Sequence, residues 1–198
     1  MTGAANSPER RVSARRRAFS LGVAWVVGAA LLRVTLLAPE TCPPLTATDA
    51  RASAVAAAEW ITLNQEPVGS YLYEYDRNTG RVSPSYNLVR HAGTTMAVYQ
   101  VVAAGEIRFL DAADRATQYM LDRMVSTGAE ASSWAEPGGD LQLGAAALLA
   151  ISLLIRREAT RDDRYDGALI RVGNFMVGQQ LPDGVMLERW VRSTGAPD

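Results

Sequence analysis

The sequence predicts an all-α body, an array of helical hairpins with short β-hairpin insertions, preceded by an apolar N-terminal helix. Three observations predict it. From Asp49 onward apolar residues recur at helical spacing, without the continuous β-branched runs of buried strands. Amphipathic segments alternate with segments that are apolar on every side. Finally, residues 65–80 return, much altered but in register, at 180–195.

Composition sets the outer bounds. The 198 residues are 48% hydrophobic, 7% aromatic and 21% charged, with a formal net charge of −1. That is enough apolar material for one domain with a core, and too balanced a charge for a disordered chain. Cys42 is the only cysteine, which excludes a disulfide scaffold. All 20 basic residues are arginine, which reads as the coding bias of a GC-rich bacterial genome. Residues 1–40 hold six of these arginines and two glutamates, leaving 14 arginines against 19 acids, about −5, in the body. Phosphate binding needs a basic face, so no nucleic-acid partner is expected.

The N-terminal element comes first. Residues 1–17 form a basic tail with Arg10, Arg11, Arg15, Arg16 and Arg17. The stretch 18–38 is interrupted only by Arg33 and is long enough to span a bilayer, the arginine reaching the headgroups. Positive charge ahead of the span predicts a cytoplasmic N-terminus and an extracytoplasmic body. A cleaved signal, or a buried helix of a soluble protein, is the alternative, and Arg16-Arg17-Ala18-Phe19 resembles the core of a twin-arginine export signal. A single-pass protein of the cell membrane is thus expected. Residues 39–48, PETCPPLTAT, read as a stiff linker, with Cys42 an idle thiol or an intermolecular pairing site.

The body, residues 49–198, follows. A first helix is expected over 49–64, capped by Asp49, and a nearly all-apolar one over 87–104. Residues 109–126 are amphipathic, with Leu110, Ala113, Met120 and Leu121 opposing Asp111, Asp114 and Asp122. Residues 141–156 are apolar on every side, and 163–179 are amphipathic again. The all-apolar segments are expected as inner helices and the amphipathic ones as an outer layer.

The two copies of the repeat share Gln65/Gln180, Pro67/Pro182, Gly69/Gly184, Leu72/Leu187, Arg77/Arg192, Thr79/Thr194 and Gly80/Gly195. They lie 115 positions apart, and two helix pairs fit between them. Each copy predicts a Pro-Gly turn after an outer helix, a short extended stretch and a Thr-Gly reversal. In the first copy, Ser70–Tyr75 and Arg81–Ser83 are placed to form a β-hairpin around Asn78-Thr79-Gly80.

The QxPxG turn after an outer helix, with inner helices such as YNLVRHAGTTMAVYQ and LGAAALLAISLL, resembles the α/α toroid. That is the architecture of six-hairpin glycosidases and of terpenoid-cyclase and prenyltransferase barrels. The resemblance covers residues 49–198 and is one of architecture, without a diagnostic catalytic motif. Three outer and two inner helices are countable, so half of a ring, an open array or a truncated product is expected. The resemblance implies a ligand funnel at the N-terminal ends of the inner helices. Carried over, that gives Asn87, Arg90 and His91 on the first, and Trp134, Glu136, Asp140 and Gln142 on the second.

His91, the only histidine, reads either as a general acid/base or sugar-binding donor, or as a core histidine bonded to a loop carbonyl. Arg90 heads an apolar helix and needs a partner, either Glu74 or Asp76 or a ligand anion. Glu74 with Asp76, and Asp183 with Glu188, are the candidate carboxylate pairs for glycoside hydrolysis, and a solvated hairpin face is their other reading. Tyr71, Tyr73, Tyr75 and Trp134 supply stacking surface or core packing. The candidate catalytic residues are therefore Glu74, His91 and Asp140, and the candidate substrate-binding residues Asn87, Arg90, Tyr73 and Trp134. Neither a cofactor nor a metal is expected: GxSxG, P-loop and GxGxxG patterns are missing and one histidine makes no cluster. The expected function is recognition or processing of a cell-envelope saccharide by a membrane-tethered body. A non-enzymatic envelope scaffold, or an inactive fragment of a larger toroid enzyme, is the alternative.

Overall fold

The structure, a computed structural model, describes residues 8–36 and 44–198, with the side chains of the first helix from Arg16 onward. It divides into two compact units, Met1–Leu45 and Thr46–Asp198. Cys42, the linker up to residue 43, and the side chains of Arg10, Arg11 and Arg15 lie outside the described residues.

The first unit is helix α1, Pro8–Thr35. Proline suits a first helical position, where its missing N–H is not needed. The helix therefore begins inside the expected basic tail. Within it Arg16–Thr35, 20 residues of mean hydropathy 1.7, is long and apolar enough to cross a bilayer.

The second unit opens with α2, Ala47–Leu63. Its N-cap is Thr46, not Asp49: Thr46 Oγ1 accepts the Asp49 N–H at 3.2 Å, and Asp49 Oδ2 accepts the Thr46 N–H at 3.1 Å. This reciprocal pair satisfies two otherwise orphan donors. A hairpin of β1, Tyr75–Asp76, and β2, Arg81–Val82, leads to α3, Leu88–Ala103. A 3-10 turn at Ile107–Phe109 then gives way to α4, Leu110–Leu121.

The expected helix over 109–126 stops at Leu121. Met124–Ser126 is instead strand β3, paired antiparallel with β4, Ser132–Trp134. The β-branched Val125 and the Ser-Thr-Gly turn at 126–128 favour a hairpin over another helical turn. The next helix also starts later than expected, because Leu141–Gln142 is strand β5. Helix α5, Leu143–Thr160, and α6, Asp166–Gly178, follow, then β6, Arg189–Val191, and β7, Ala196–Pro197.

The all-apolar helices α3 and α5 pack along each other, and α2, α4 and α6 pack outside them. Small residues permit the close approach of α3 and α5. Gly93 leaves room for Leu148, and the Ser152 hydroxyl lies 3.4 Å from the Ala92 carbonyl. Ala92, Ala145, Ala146, Leu149 and Leu153 form the core of this contact. Each fully buried leucine there contributes about 1.5–3 kcal/mol. The inner helices are not covered on every side, however: Ile151 and Leu154 of α5 are exposed at 43% and 51%.

The two repeat copies adopt the same local structure. Gln65 bridges Tyr71 in the first, and Gln180 bridges Met186 at the matching positions of the second. Gly69 and Gly184 share the left-handed region at φ +94° and +90°, and Gly80 and Gly195 do so at +69° and +65°. The hairpins also share a register, Tyr75 opposite Val82 and Trp190 opposite Pro197. They differ in what they touch. The first turn docks on α4, where Gln65 Nε2 donates to the Ala112 carbonyl at 2.9 Å and Arg115 Nη2 donates to Gln65 Oε1 at 2.8 Å. The second hairpin pairs instead with β5, Leu141 opposite Trp190 and Gln142 opposite Arg189.

Candidate functional site: the tyrosine row at the head of α3

Helix α3 begins at an asparagine cap. Asn87 Oδ1 accepts the Arg90 N–H at 2.9 Å, which commits the side chain to the helix start. The next turn sends Arg90 and His91 in different directions. Asn87, Arg90 and His91 are therefore brought close along the chain but do not line one concavity.

His91 turns inward and is 2% exposed. Its Nε2 lies 3.0 Å from the Ala116 carbonyl, and its Nδ1 lies 2.6 Å from the Tyr86 hydroxyl. A carbonyl can only accept, so Nε2 carries the proton and Nδ1 accepts from Tyr86. The Tyr86 oxygen in turn accepts the Tyr71 N–H at 2.9 Å. Both imidazole nitrogens are thus committed. Burial pushes the His91 pKa down to about 4, helped by the positive charge of Arg123 and opposed by the Ala116 carbonyl. His91 is the neutral hub of the site, with no nitrogen to present to a substrate.

Aromatic rings surround this hub. Tyr119 of α4 stacks on the imidazole at 4.9 Å and 25°, with Tyr71 at 5.0 Å and Trp134 at 5.3 Å. Tyr86 bridges outward, 5.8 Å from Tyr119 and 6.0 Å from Tyr73. An arginine stands over a ring at each end. Arg90 lies 5.1 Å from the centre of Tyr73, and Arg123 lies 3.5 Å from the centre of Tyr119. Glu136 Oε1 accepts the Tyr119 hydroxyl at 3.1 Å. Burial raises the phenol pKa values of Tyr71, Tyr86 and Tyr119, that of Tyr71 to about 12, so these hydroxyls stay protonated in their bonds to Thr95, His91 and Glu136.

The remaining expected site residues fall elsewhere. Arg90 has no carboxylate within ion-pair distance among the described residues, and Tyr73 takes the place expected of Glu74 or Asp76. Glu74 is exposed on the hairpin. Asp76 caps its turn, accepting the Asn78 N–H at 2.8 Å and the Thr79 N–H at 3.3 Å. Asp140 Oδ1 accepts the Arg192 N–H at 3.0 Å, tying the second hairpin to the head of α5. Trp134 is wholly buried, so its indole packs the core and is not open for stacking a ligand. Gln142 stands exposed at the end of β5, opposite Arg189. Residues missed by the sequence reading complete the row: Tyr86, Tyr119 and Arg123. A tyrosine just ahead of a helix N-cap was the one available signal for Tyr86.

Two other features lie apart from the row. Asp114 of α4 meets Arg156 of α5, with Nε to Oδ1 at 2.7 Å, and Arg164 also bonds this carboxylate. Tyr99 donates to the same Oδ1 at 2.7 Å, closing a network that locks α3, α4 and α5 together. Between α2 and α3 runs an open groove of about 540 Å³, lined mainly by alanine, valine and Ile61, with Arg51 and Glu106 at its rim. It carries little chemistry. Among the described residues no group of three metal-ligating side chains comes together.

The chain was compared with protein-family models, with curated proteins and with solved structures, and nothing matched in any of the three.

Proposed function

We propose that the protein is a membrane-tethered module that recognises a cell-envelope saccharide along the tyrosine row, its body standing outside the cytoplasm as part of an α/α-toroid-like array. The observation that carries the reading is the row itself: Tyr73 and Tyr86 half-buried at its open end and Tyr119 buried behind them, with Arg90 and Arg123 at its ends. Sugar rings present C–H faces that pack on aromatic rings, and their hydroxyls bond to phenol, carboxylate and guanidinium groups. All of these groups are present. Recognition fits better than hydrolysis, because His91 is closed in, Asp140 is bonded to the hairpin backbone and Glu74 stands on an exposed turn. Hydrolysis needs two carboxyls facing each other across an open cleft.

The apolar span at Arg16–Thr35 and the arginines ahead of it support the tether and its orientation. The alternation of inner and outer helices and the shared geometry of the two QxPxG turns support the array. A second reading, a scaffold that docks helices of other envelope proteins, is favoured by the apolar groove between α2 and α3. A glycan array probed with the full chain in detergent separates the two. Saccharide binding that is lost in Tyr73→Ala is expected, and no binding to any glycan would leave the scaffold standing.

A further inference from the structure

Resting on the saccharide reading, we propose that the ligand of the tyrosine row is anionic, a carboxylate-bearing saccharide whose acid group is taken up by Arg123, with Arg90 as a second cationic contact.

The case starts with how arginines are used in this body. Arg51, Arg156, Arg157, Arg164 and Arg189 each meet a carboxylate. Arg77, Arg81, Arg161, Arg171, Arg192, Arg90 and Arg123 meet none among the described residues, and of these Arg90 and Arg123 stand over a tyrosine ring. Arg123 stands over the Tyr119 ring, and its Nη1 donates to the Tyr119 carbonyl at 3.0 Å. That leaves the Nε/Nη2 edge, the edge that grips a carboxylate with two parallel bonds. Its Nε–H is shut off from solvent and has no acceptor. A buried donor without an acceptor is costly, and a bound carboxylate removes that cost.

The surroundings favour an anion over a cation. His91 behind the row is held neutral, so the charged groups nearest the rings are the two arginines. Glu136 is the one carboxylate seen bonded to the row, and it is occupied by the Tyr119 hydroxyl. The donors left to a ligand are therefore the two guanidinium groups, the Tyr86 and Tyr119 hydroxyls being bonded to His91 and Glu136. A neutral sugar offers a guanidinium only uncharged oxygens, whereas a uronic acid offers a carboxylate that takes two parallel charge-assisted bonds.

The test uses the full chain in detergent and two probes, trigalacturonate and its carboxyl-reduced counterpart of the same length and linkage. Calorimetric titration is expected to show at least tenfold tighter binding of the acid, with the difference shrinking in high salt. Arg123→Gln should bring the acid down to the level of the neutral probe, Arg123→Lys should keep part of the difference, and Arg90→Gln should reduce it. If Arg123→Gln does not fold, the wild-type ratio and Arg90→Gln decide the matter. Equal affinity for the two probes would overturn the anionic assignment and leave saccharide recognition standing. Binding of neither probe, together with silence on the glycan array, would overturn both. Inorganic sulfate competing as well as the trisaccharide would show a simple anion site and overturn the saccharide part.

Discussion

The Tyr86 hydroxyl lies 2.6 Å from Nδ1 of His91, and this bond joins the half-buried tyrosine row to the buried core. Because Nε2 is engaged by the Ala116 carbonyl, protonating His91 must break the Tyr86 bond or turn it around.

That relationship gives a pH dependence with a definite sign. The folded pKa of His91 is depressed from 6.5 to about 4, so between these values the unfolded chain binds the proton and the folded one does not. Stability from this group is fully present above pH 6.5 and is lost as pH falls towards 4. A depression of this size corresponds to about 3 kcal/mol. Denaturant unfolding of wild type and His91→Gln at pH 4.5 and 7.5 measures it. The wild type should lose more stability than the variant on acidification, and equal losses would mean that His91 is not held neutral.

The two repeat turns should respond differently to the same substitution. Alanine at Gly69 would put Cβ 2.2 Å from the Arg115 carbonyl oxygen, whereas at Gly184 the nearest atom is a flexible Gln180 nitrogen at 3.9 Å. Both positions carry the strain of a positive φ, about 1–3 kcal/mol. Only Gly69→Ala adds overpacking, about 1–3 kcal/mol more. Thermal unfolding of the two variants side by side should show Gly69→Ala as the less stable.

The Asp114–Arg156 pair predicts non-additive energetics. Arg156 has a side chain 3% exposed, and its loss leaves the Asp114 carboxylate with Arg164 as its one ion-pair partner among the described residues, beside the Tyr99 hydroxyl. Arg156→Met should cost about 3–5 kcal/mol, and Asp114→Leu/Arg156→Met should cost less than the sum of the singles. Chemical denaturation of the three variants checks this cycle.

The proposed topology rests on the apolar helix and the arginines ahead of it. A reporter fused after Asp198 should be active outside the cytoplasm, and extraction of the chain should require detergent. Reporter activity inside the cytoplasm would reverse the assigned orientation.

Much of the fold was legible because helices declare themselves locally. The apolar spacing of 49–64 and 87–104 places α2 and α3 to within two residues, and Gln65, Gly69 and Gly80 announce a turn that recurs at Gln180, Gly184 and Gly195. The site was less legible, because its contacts join positions far apart in the chain. Nothing in the amphipathic pattern of α4 tells that Tyr119 stacks on His91, or that Asp114 meets Arg156 42 residues later. Arg90 was expected to meet Glu74, Asp76 or a ligand anion; neither hairpin carboxylate reaches it, because a tyrosine face holds the exposed guanidinium instead, as Tyr73 does. Strands β3 and β4 escaped notice because three-residue strands leave no periodicity to count.

The saccharide reading is tested most directly by Arg90→Ala, measured for glycan binding and for thermal stability on the same preparation. Arg90 is exposed and rests on Tyr73 without an ion pair among the described residues, so its removal should cost no more than about 1 kcal/mol of stability. Binding to the glycan that the wild type selects should fall at least tenfold while the melting temperature stays within a few degrees. Unchanged glycan binding in that variant, or a large loss of stability instead, would contradict a binding role for the tyrosine row.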